Sequence, residues 1–441
     1  MKIIIIGVGE YYKRYKSYIS DDDIVAIADN DIAKQGSIVD GFTVLSVEMA
    51  IRKKYDKILI LTRLFNEITS QLLSLGVDAN DILYHYEVSQ LTRTNNVKKR
   101  VLVISDEFKL SGAQIALERM IEILNKNGYK VTVASNGDGL LRELIWENRI
   151  SIIIDSELSI KSLKDLKWTQ DFDLIIVNTA VPYHLLMNRD IEIPVMWWIH
   201  ECEEGYRYVL DRDLKKIDTR NLFIFCVSNT AKRAFVKRLP NINPKLLPVG
   251  IPDLCYQRET VNSKYRFVMI GEVCTLKGHD LIVDAINKLY EEEKRKCEFI
   301  FAGRKENNFT QIKKDLEKIP CVTLLGEISS AEVDKLLATA DVLICASRME
   351  SLSMVVVEAM SHNVPAIISS EAGIVDYITD GDTALVFQSE NVDALTEKIR
   401  WCINNKEEAA QIGYKSNSIY RTYFGMNVFE KNVLNILREI Q

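Results

Sequence analysis

Several features that commonly identify a protein are absent from this chain. No apolar run reaches the roughly 18 residues needed to cross a membrane, so the sequence predicts no membrane-spanning helix. No internal repeat or low-complexity stretch is present, which leaves ordinary globular domains. The first residues pass at once from an apolar run into a turn, and we therefore expect no secretory signal peptide.

Paired cysteines and an excess of positive charge are also missing. The eight cysteines are scattered singly without a Cys-x-x-Cys motif, so we expect free thiols in a reducing cytoplasm. The net charge of −6 argues against nonspecific nucleic-acid binding, and we expect no nucleic-acid partner. A basic run at residues 232–238 is a candidate for peripheral contact with the inner face of a membrane.

What is present is a repeated α/β pattern. At 441 residues the chain is too long for one hydrophobic core. Three sections begin with a β-branched apolar run followed by a turn, at residues 2–9, 100–105 and 266–271. Continuous apolar runs that alternate with amphipathic segments are typical of parallel sheets covered on both faces. The sequence therefore predicts three doubly wound α/β units.

Polar stretches and a final apolar stripe predict the domain boundaries. A linker is predicted near residues 92–100, which gives a first domain at 1–95 and a second at 100–255. A third domain covers 256–425, and an amphipathic helix is predicted over 426–441.

The most informative segment spans residues 345–360. An apolar run before it predicts a buried strand, and residues 354–361 predict a helix. A loop that carries Glu350 therefore leads into a helix N-terminus, where free N–H groups and the positive end of the helix dipole favour a phosphate. Glu358 follows about one turn into the helix, so both glutamates can face one crevice.

Residues 101–441 resemble the family 4 glycosyltransferases of GT-B fold. In that family two Rossmann-like domains face each other across a cleft, and a C-terminal helix crosses back to the acceptor domain. The resemblance implies that residues 100–255 take the acceptor and that residues 256–425 take the nucleotide-sugar donor. Residues 426–441 are placed to form the crossing helix.

The glutamate pair resembles the family's E-x7-E motif. By this resemblance Glu350 contacts the donor sugar as a catalytic residue, and Glu358 accepts hydrogen bonds from the ribose hydroxyls. The resemblance also implies a set of diphosphate-binding residues at the start of the helix: Ser351, Leu352, Ser353 and Met354, with backbone N–H groups from the last three.

A second loop resembles the family's phosphate clamp but departs from it at one position. Gly271 and Lys277 match the family's G-R-L-x-x-x-K-G pattern, which implies that both bind the donor. The arginine of that pattern is replaced by Glu272, so one cation is missing where a leaving diphosphate needs stabilisation. Arg304 and Arg348 are candidates to replace it.

The remaining matches concern the acceptor side and the nucleotide base. Ser111 and Gly112 resemble the family's glycine loop, which implies acceptor binding. His200 resembles the strand-end histidine near the donor sugar and is a catalytic candidate, although such a histidine is often only structural. Gly326 lies in a segment expected near the base, and uridine and guanosine donors both remain open.

The resemblance implies a metal-independent, retaining transfer that needs no cofactor besides the UDP- or GDP-linked sugar. The expected acceptors are glycans or lipid-linked glycans, and the expected pathway is cell-surface polysaccharide synthesis. The enzyme is expected in the cytoplasm or at the inner face of the membrane. Asp-x-Asp pairs, which metal-dependent glycosyltransferases use, occur at residues 29–31, 171–173 and 211–213, but their surroundings do not favour a metal site.

Residues 1–95 have some of the features of a dinucleotide-binding domain. Gly7 and Gly9 after one predicted strand, and Asp29 after the next, have the layout of a dinucleotide site. Tyr12 replaces the third glycine of that motif, and no dehydrogenase residues follow, so we expect an accessory domain like those of polysaccharide-assembly enzymes. One alternative is therefore an NAD-dependent nucleotide-sugar oxidoreductase run by this domain. A second is a non-catalytic GT-B-like scaffold, in which Glu272 marks a decayed donor site.

Overall fold

A computed structural model describes residues 1–90, 99–109, 111–147, 150–253, 263–304 and 310–440. Most of the predicted linker at 92–100 and the predicted boundary at 255–256 lie outside these residues. The described chain forms two compact units, one of residues 1–110 with 121–176 and one of residues 111–120 with 177–441.

The first sheet has six strands in the order β3-β4-β2-β1-β5-β6. Its strands are β1 (Ile3–Ile6), β2 (Ile24–Ala28), β3 (Ile38–Val39), β4 (Phe42–Leu45), β5 (Lys57–Ile60) and β6 (Ile82–Tyr84), and its helices are α1 (Glu10–Tyr15), α2 (Val47–Ala50) and α3 (Phe65–Ser74). β1 is apolar and buried along its whole length because it lies between β2 and β5 with both faces covered. Only the hairpin β3–β4 is antiparallel among the pairs described in this sheet.

The second sheet has seven strands in the order β13-β12-β11-β10-β7-β8-β9. Its strands are β7 (Arg100–Ser105), β8 (Lys130–Ser135), β9 (Ser151–Ile154), β10 (Leu174–Asn178), β11 (Val195–Ile199), β12 (Leu222–Cys226) and β13 (Lys245–Leu246). The helices of this section are α4 (Gly112–Lys126), α5 (Leu141–Glu147), α6 (Asp211–Leu214) and α7 (Asn229–Arg238).

The third sheet has six strands in the order β16-β15-β14-β17-β18-β19, and its pairs are parallel. Its strands are β14 (Tyr265–Ile270), β15 (Cys297–Ala302), β16 (Val322–Gly326), β17 (Val342–Cys345), β18 (Ala366–Ser369) and β19 (Leu385–Phe387). The helices are α8 (His279–Asn287), α9 (Glu291–Lys296), α10 (Thr310–Glu317), α11 (Ser330–Thr339), α12 (Met354–Ser361), α13 (Val392–Asn404), α14 (Lys406–Ile419) and α15 (Met426–Ile440). The three sheets confirm the predicted α/β class, which is built on parallel sheets.

Side chains of the first domain cover the edge strand β9. The Ile152 carbonyl accepts hydrogen bonds from the Tyr11 hydroxyl at 3.2 Å and from His85 Nε2 at 2.6 Å. Arg14 Nη2 donates to the Ile150 carbonyl at 2.6 Å. An edge strand exposes unpaired carbonyl groups, and these bonds satisfy them without adding another strand.

The last helix follows the predicted amphipathic pattern. α15 buries Phe429, Val433 and Leu437 on one side. The Phe429 ring stacks on Trp198 of β11 with 5.7 Å between centroids. A Cβ at Gly250 would lie 2.6 Å from the same Phe429 ring, so the segment after β13 needs glycine to let α15 approach.

Candidate active site

The strand order of the third sheet places a switch point, and with it the expected ligand crevice, at the carboxyl end of β14. After β14 the chain adds β15 and β16 on one side of this strand. It later adds β17, β18 and β19 on the other side. In open α/β sheets, ligands bind at the carboxyl ends of strands at such a switch point. Residues 271–278 follow β14 and residues 346–353 follow β17, so both loops singled out in the sequence flank this point.

A charged pair joins these two loops. Glu350 Oε2 accepts hydrogen bonds from Lys277 Nζ and, at 3.0 Å, from Ser347 Oγ. Burial opposes the charged form of Lys277, but the Glu350 carboxylate more than offsets this, and the pKa of Lys277 is raised. The structure therefore holds a permanent cation and a carboxylate together at the crevice.

Gly278 makes the approach of the two loops possible. Its φ of 75° is in the left-handed region, and a Cβ there would lie 2.1 Å from the Ala346 carbonyl oxygen. This residue is also the N-cap of α8, so it ends the Lys277 loop and begins the helix at the same position.

The loop after β17 ends in an unusual helix start. Ser353, the N-cap of α12, has a φ of 77° and makes no side-chain cap bond. The first N–H groups of α12 therefore have no partner from this side chain, and they are suited to an anion. Ser351 Oγ is buried and has no hydrogen-bond partner within the described chain.

Two contacts hold this loop in place. Ser228, the N-cap of α7, donates from Oγ to the Ser351 carbonyl at 2.6 Å. A Cβ at Gly373 would lie only 1.8 Å from the same carbonyl oxygen. The Ser351 carbonyl is thus held between α7 and the segment after β18, which fixes the path of the loop before α12 begins.

Glu358 lies on α12 about one turn after Ser353. Its side chain is 23% exposed, and its Oε1 lies 3.9 Å from Nη2 of Arg119 on α4. Burial raises the pKa of Glu358 to about 7, although Arg119 acts in the opposite direction. No described residue donates a hydrogen bond to this carboxylate, so its oxygens can accept hydroxyl groups of a ligand.

The two candidates for the missing cation have different surroundings. Arg304 Nη2 lies 3.1 Å from Oε1 of Glu272, the residue at the position of the family's arginine. A cation therefore lies next to that position. Arg348 contacts Asp280 through two nitrogens at 2.7 and 2.8 Å and also contacts Glu390. Arg348 is therefore the less favourable candidate for the second cation, because two carboxylates of the protein already pair with its guanidinium.

His200 follows β11 directly, as the sequence predicted. Its ring meets the Trp198 ring edge-on, with 4.4 Å between centroids. Burial lowers the pKa of His200 to about 3, so the ring is neutral at physiological pH. Its Nε2 has no hydrogen-bond partner among the described residues. The neutral ring can therefore form a hydrogen bond with a ligand but carries no charge.

Ser111 and Gly112 lie at the start of α4. A Cβ at Gly112 would lie 3.3 Å from Sδ of Met354, so the glycine loop closely approaches the first residue of α12. The Ser111 hydroxyl donates to Oε1 of Gln114. Gly112 therefore lies close to the start of α12, whereas the Ser111 hydroxyl is hydrogen-bonded within its own turn.

Gly271 and Gly326 are linked through Gly303. A Cβ at Gly303 would lie 1.8 Å from the Gly271 carbonyl oxygen, and the Gly303 N–H donates to the Gly326 carbonyl at 2.7 Å. These glycines line the carboxyl ends of β14, β15 and β16. In the described part of the chain, no hydrogen bond or ion pair joins Glu350 or Glu358 to the predicted site residues His200, Ser111 and Gly326.

Sequence reasoning missed two residues that contact the site. Arg119 donates from Nη1 to the Gly250 carbonyl at 2.8 Å in addition to its approach to Glu358. Its signal was a lone arginine within the amphipathic pattern of α4, where its side chain is only 12% exposed. Ser228 carried the usual signal of a helix N-cap, but that signal does not predict its bond to Ser351.

The possible dinucleotide site of the first sheet is arranged differently. A pocket of about 670 Å³ lies at the carboxyl ends of β1, β2 and β5 and is lined in part by Gly7, Gly9 and Asp29. Asp29 accepts hydrogen bonds from the N–H groups of Val8 at 3.0 Å and Asp31 at 2.9 Å. The carboxylate expected to bind a ribose therefore holds the protein's own loop.

The described residues contain neither a membrane-spanning helix nor a metal-binding cluster. None of the described helices is long and apolar enough to cross a membrane. No group of three or more histidine, cysteine or acidic side chains within the described ranges could hold a metal ion.

Comparison with known families covers almost the whole chain. Residues 257–418 match the family described as Glycosyl transferases group 1, and residues 97–246 match Glycosyl-transferase family 4. The chain belongs to the family 4 glycosyltransferases of GT-B fold. Residues 1–83 of this glycosyltransferase match a further family described as C2185-like, N-terminal.

Two sequence relatives are named as transferases, and one solved structure shares the fold. An uncharacterized glycosyltransferase of Methanocaldococcus jannaschii is 27% identical over 263 residues, which are 57% of this chain and 71% of that protein. The Arabidopsis thaliana sulfoquinovosyl transferase is 29% identical over 153 residues, or 33% of this chain and 28% of that protein. The crystal structure of Anabaena HepE with UDP and glucose superposes with a TM-score of 0.66 and 15% identity, covering 78% of this chain and all of HepE.

Proposed function

We propose that this glycosyltransferase moves a sugar from a nucleoside diphosphate to a hydroxyl group of a glycan or lipid-linked glycan, with retention of configuration. The observation that carries the proposal is the Lys277–Glu350 pair at the switch point of the third sheet. An uncapped helix N-terminus follows it, with the Glu358 carboxylate one turn further. A cation, free N–H groups and an acceptor for hydroxyls are what a nucleotide sugar requires.

Each group has a part in the proposed reaction. Lys277 and the first N–H groups of α12 stabilise the diphosphate as the bond from its oxygen to the sugar C1 breaks. The acceptor oxygen forms its bond to C1 on the same face, and the leaving diphosphate takes the acceptor proton. No protein nucleophile is required, so the protein contributes positioning and electrostatic stabilisation. Glu350, held by Lys277 and Ser347, orients the donor sugar.

Two further parts of the proposal concern His200 and Arg304. Since the pKa of His200 is lowered to about 3, it serves as a neutral hydrogen-bonding group to the sugar or the acceptor. Arg304, which contacts Glu272 and is 70% exposed, is free to turn toward a bound diphosphate. It is the better candidate for the second cation, since Arg304 pairs with one carboxylate and Arg348 with two.

The acceptor class and the location follow by analogy and are proposals. UDP and glucose are bound in the structure of HepE, which supports a nucleotide-sugar donor for a chain of the same fold. We extend this to polysaccharide synthesis in the cytoplasm. On α7, Arg233 contacts Asp376, and both Lys237 and Arg238 contact Glu203. Three cations of the basic run are thus paired with two carboxylates, so α7 gives little support to membrane contact.

Calorimetric titration tests the donor site directly. UDP, GDP and NAD would each be titrated into the wild-type chain, into Glu358→Ala and into Glu397→Ala, a control on the exposed side of α13. We expect one diphosphate to bind and its affinity to fall at least tenfold in Glu358→Ala only. The diphosphate that binds also identifies the base.

Other outcomes point to the alternatives. If neither diphosphate binds and NAD does, the first domain carries the activity, and the proposal fails. Failure of all three to bind would favour a non-catalytic scaffold. Equal affinity in wild type and Glu358→Ala would exclude the predicted ribose contact.

A further inference from the structure

A second pocket lies in the first compact unit, away from the proposed donor site. It has a volume of about 150 Å³ and is formed by residues of the first domain together with residues of α4, β8 and β9. Neither the predicted donor residues nor the predicted acceptor residues line it. Three buried polar atoms of its lining residues have no hydrogen-bond partner in the described chain. One is the Tyr15 hydroxyl, and the other two, on His85 and Lys130, can fix a ligand.

The first of these atoms belongs to His85. The residue is only 1% exposed, and its Nε2 lies 2.6 Å from the Ile152 carbonyl oxygen. Burial lowers the pKa of His85 to about 3, so the ring is neutral. Since Nε2 faces a carbonyl, it carries the single ring proton, and Nδ1 has a lone pair. No described residue donates to Nδ1, which is therefore an unsatisfied buried acceptor.

The second atom is Nζ of Lys130, at the start of β8. It is buried without a hydrogen-bond partner in the described part of the chain. Burial lowers the pKa of Lys130 to about 8, while Glu87, which does not line the pocket, acts to raise it and Arg100 to lower it. The ammonium group remains mostly charged at neutral pH. A buried cation is costly unless an anion meets it, and no acidic residue lines the pocket.

The walls of the pocket limit the shape of an occupant. Tyr15, Tyr18 and Tyr86 contribute aromatic surface, and Tyr15 and Tyr86 are almost fully buried. A cavity of about 150 Å³ holds a ligand of about one six-membered ring. Aromatic and apolar walls with a few placed polar groups are typical of small-molecule sites.

We propose that this pocket binds a small ring compound that carries one carboxylate and at least one hydroxyl group. The carboxylate accepts hydrogen bonds from Lys130 Nζ, and the hydroxyl donates to His85 Nδ1. The ring packs against the tyrosine walls. Two sources share this chemistry, a sugar acid and an aromatic hydroxy acid.

Binding would stabilise the junction between the first domain and β9. His85 and the tyrosines belong to the first domain, whereas Lys130 belongs to the second sheet. A ligand that binds only the folded junction raises the stability of the folded state by mass action. Donor turnover is not required for this effect, so the inference is independent of the proposed function.

Glucuronate and 4-hydroxybenzoate are suitable probes for the full-length chain. Each would be titrated by calorimetry and added in thermal melting, beside glucose, which lacks the carboxylate, and benzoate, which lacks the hydroxyl. We expect at least one hydroxy acid to bind and to raise the melting temperature. Its partner without the carboxylate or the hydroxyl should bind at least tenfold more weakly. The acid that binds identifies the source.

Lys130→Gln should weaken binding of that acid at least tenfold, whereas Lys126→Gln, an exposed change outside the pocket lining, should not. If neither acid binds the wild-type chain, or if glucose binds as well as glucuronate, the proposal is wrong. Equal binding by Lys130→Gln would also overturn it. Should Lys130→Gln fail to fold, the comparison of the four compounds on the wild-type chain still decides.

Discussion

The first and third sheets have the same construction but offer different chemistry at their carboxyl edges. In each, the first strand of the section lies between the next strand and a later one, in the orders β2-β1-β5 and β15-β14-β17. In each, a glycine is the N-cap of the following helix, Gly9 before α1 and Gly278 before α8. Topology alone therefore predicts a ligand site at both places.

The polar groups at the two edges are used differently. At the first sheet, Asp29 accepts from two backbone N–H groups and from Lys34, so it stabilises its own loop. At the third sheet, Glu358 receives no hydrogen bond from the described residues, and the Ser351 hydroxyl has no partner there. α12 begins without a side-chain cap. On the proposed function, unsatisfied polar groups, more than topology, distinguish the donor site of the third sheet from the similarly built edge of the first sheet.

The largest expected effect is at Glu350. Glu350→Gln keeps the size of the side chain but removes the charge that pairs with Lys277. We expect turnover to fall about a thousandfold, because preorganised electrostatics of this kind dominate such reactions. Steady-state assays with the diphosphate sugar identified by calorimetry would measure it. Glu371→Gln, on the exposed side of the neighbouring loop, is the control. Unchanged turnover in Glu350→Gln would remove this residue from the mechanism.

The two N-cap glycines provide the next comparison. An alanine Cβ at Gly278 would lie 2.1 Å from the Ala346 oxygen at a φ of 75°. We expect Gly278→Ala to lower the free energy of unfolding by about 3 kcal/mol and to abolish donor binding. Gly9 has no atom within 4 Å of its Cβ position, and Gly9→Ala should change stability by less than about 0.5 kcal/mol. Denaturant unfolding would measure both, and similar losses would show that the two loops are equally constrained.

Much of the third sheet could be predicted from sequence because its signals are local. The apolar run before Cys345 and the apolar helix after Ser353 are β17 and α12 in the structure, and the loop between them carries Glu350. His200 likewise follows a strand, as predicted. A strand and the helix that follows it are encoded by consecutive residues, so their order along the chain places the loop.

Short strands and distant contacts could not be predicted. β3 and β4 have two and four residues, too few for a clear alternation, although the turn at Asp40 and Gly41, both with positive φ, was a usable signal. The approach of Arg119 to Glu358 joins residues far apart in the chain. Periodicity shows which face of a helix is buried but not which distant residue it meets.

Acidity should affect the donor site through Glu358. Because its pKa is raised to about 7, this carboxyl is largely protonated at pH 6 and largely ionised at pH 8. The ionised form accepts both ribose hydroxyls, so nucleotide affinity should rise about tenfold over this interval. Nucleotide titrations of wild type and Glu358→Gln at both pH values would measure this effect. Ionisation of the nucleotide phosphates affects both proteins equally, so the difference between the two proteins reports Glu358. The same pH dependence in both would exclude Glu358 as its cause.

The folded state should respond in the opposite direction. A carboxyl whose pKa is raised on folding binds more protons in the folded state, so its contribution to stability falls as pH rises from about 4.5 to about 7. Glu358→Gln should therefore be more stable than wild type at pH 8, by about 2 kcal/mol, while it binds the nucleotide more weakly. Thermal melting at pH 5 and pH 8 would measure this difference. A variant that is less stable at pH 8 would show that Glu358 is structural, like Asp29.

Asp29→Asn should have the smallest effect and should leave turnover unchanged. Burial opposes ionisation of Asp29, but the N–H groups of Val8 and Asp31 and the Lys34 ammonium hold its pKa below the ordinary value. Its stabilising contribution is therefore present at neutral pH and is lost as the pH falls through the carboxyl range. The substitution should cost about 1 kcal/mol at pH 7 and progressively less in acid. A loss of turnover without a loss of stability would mean that the Asp29 carboxylate binds a ligand and does not mainly stabilise its own loop.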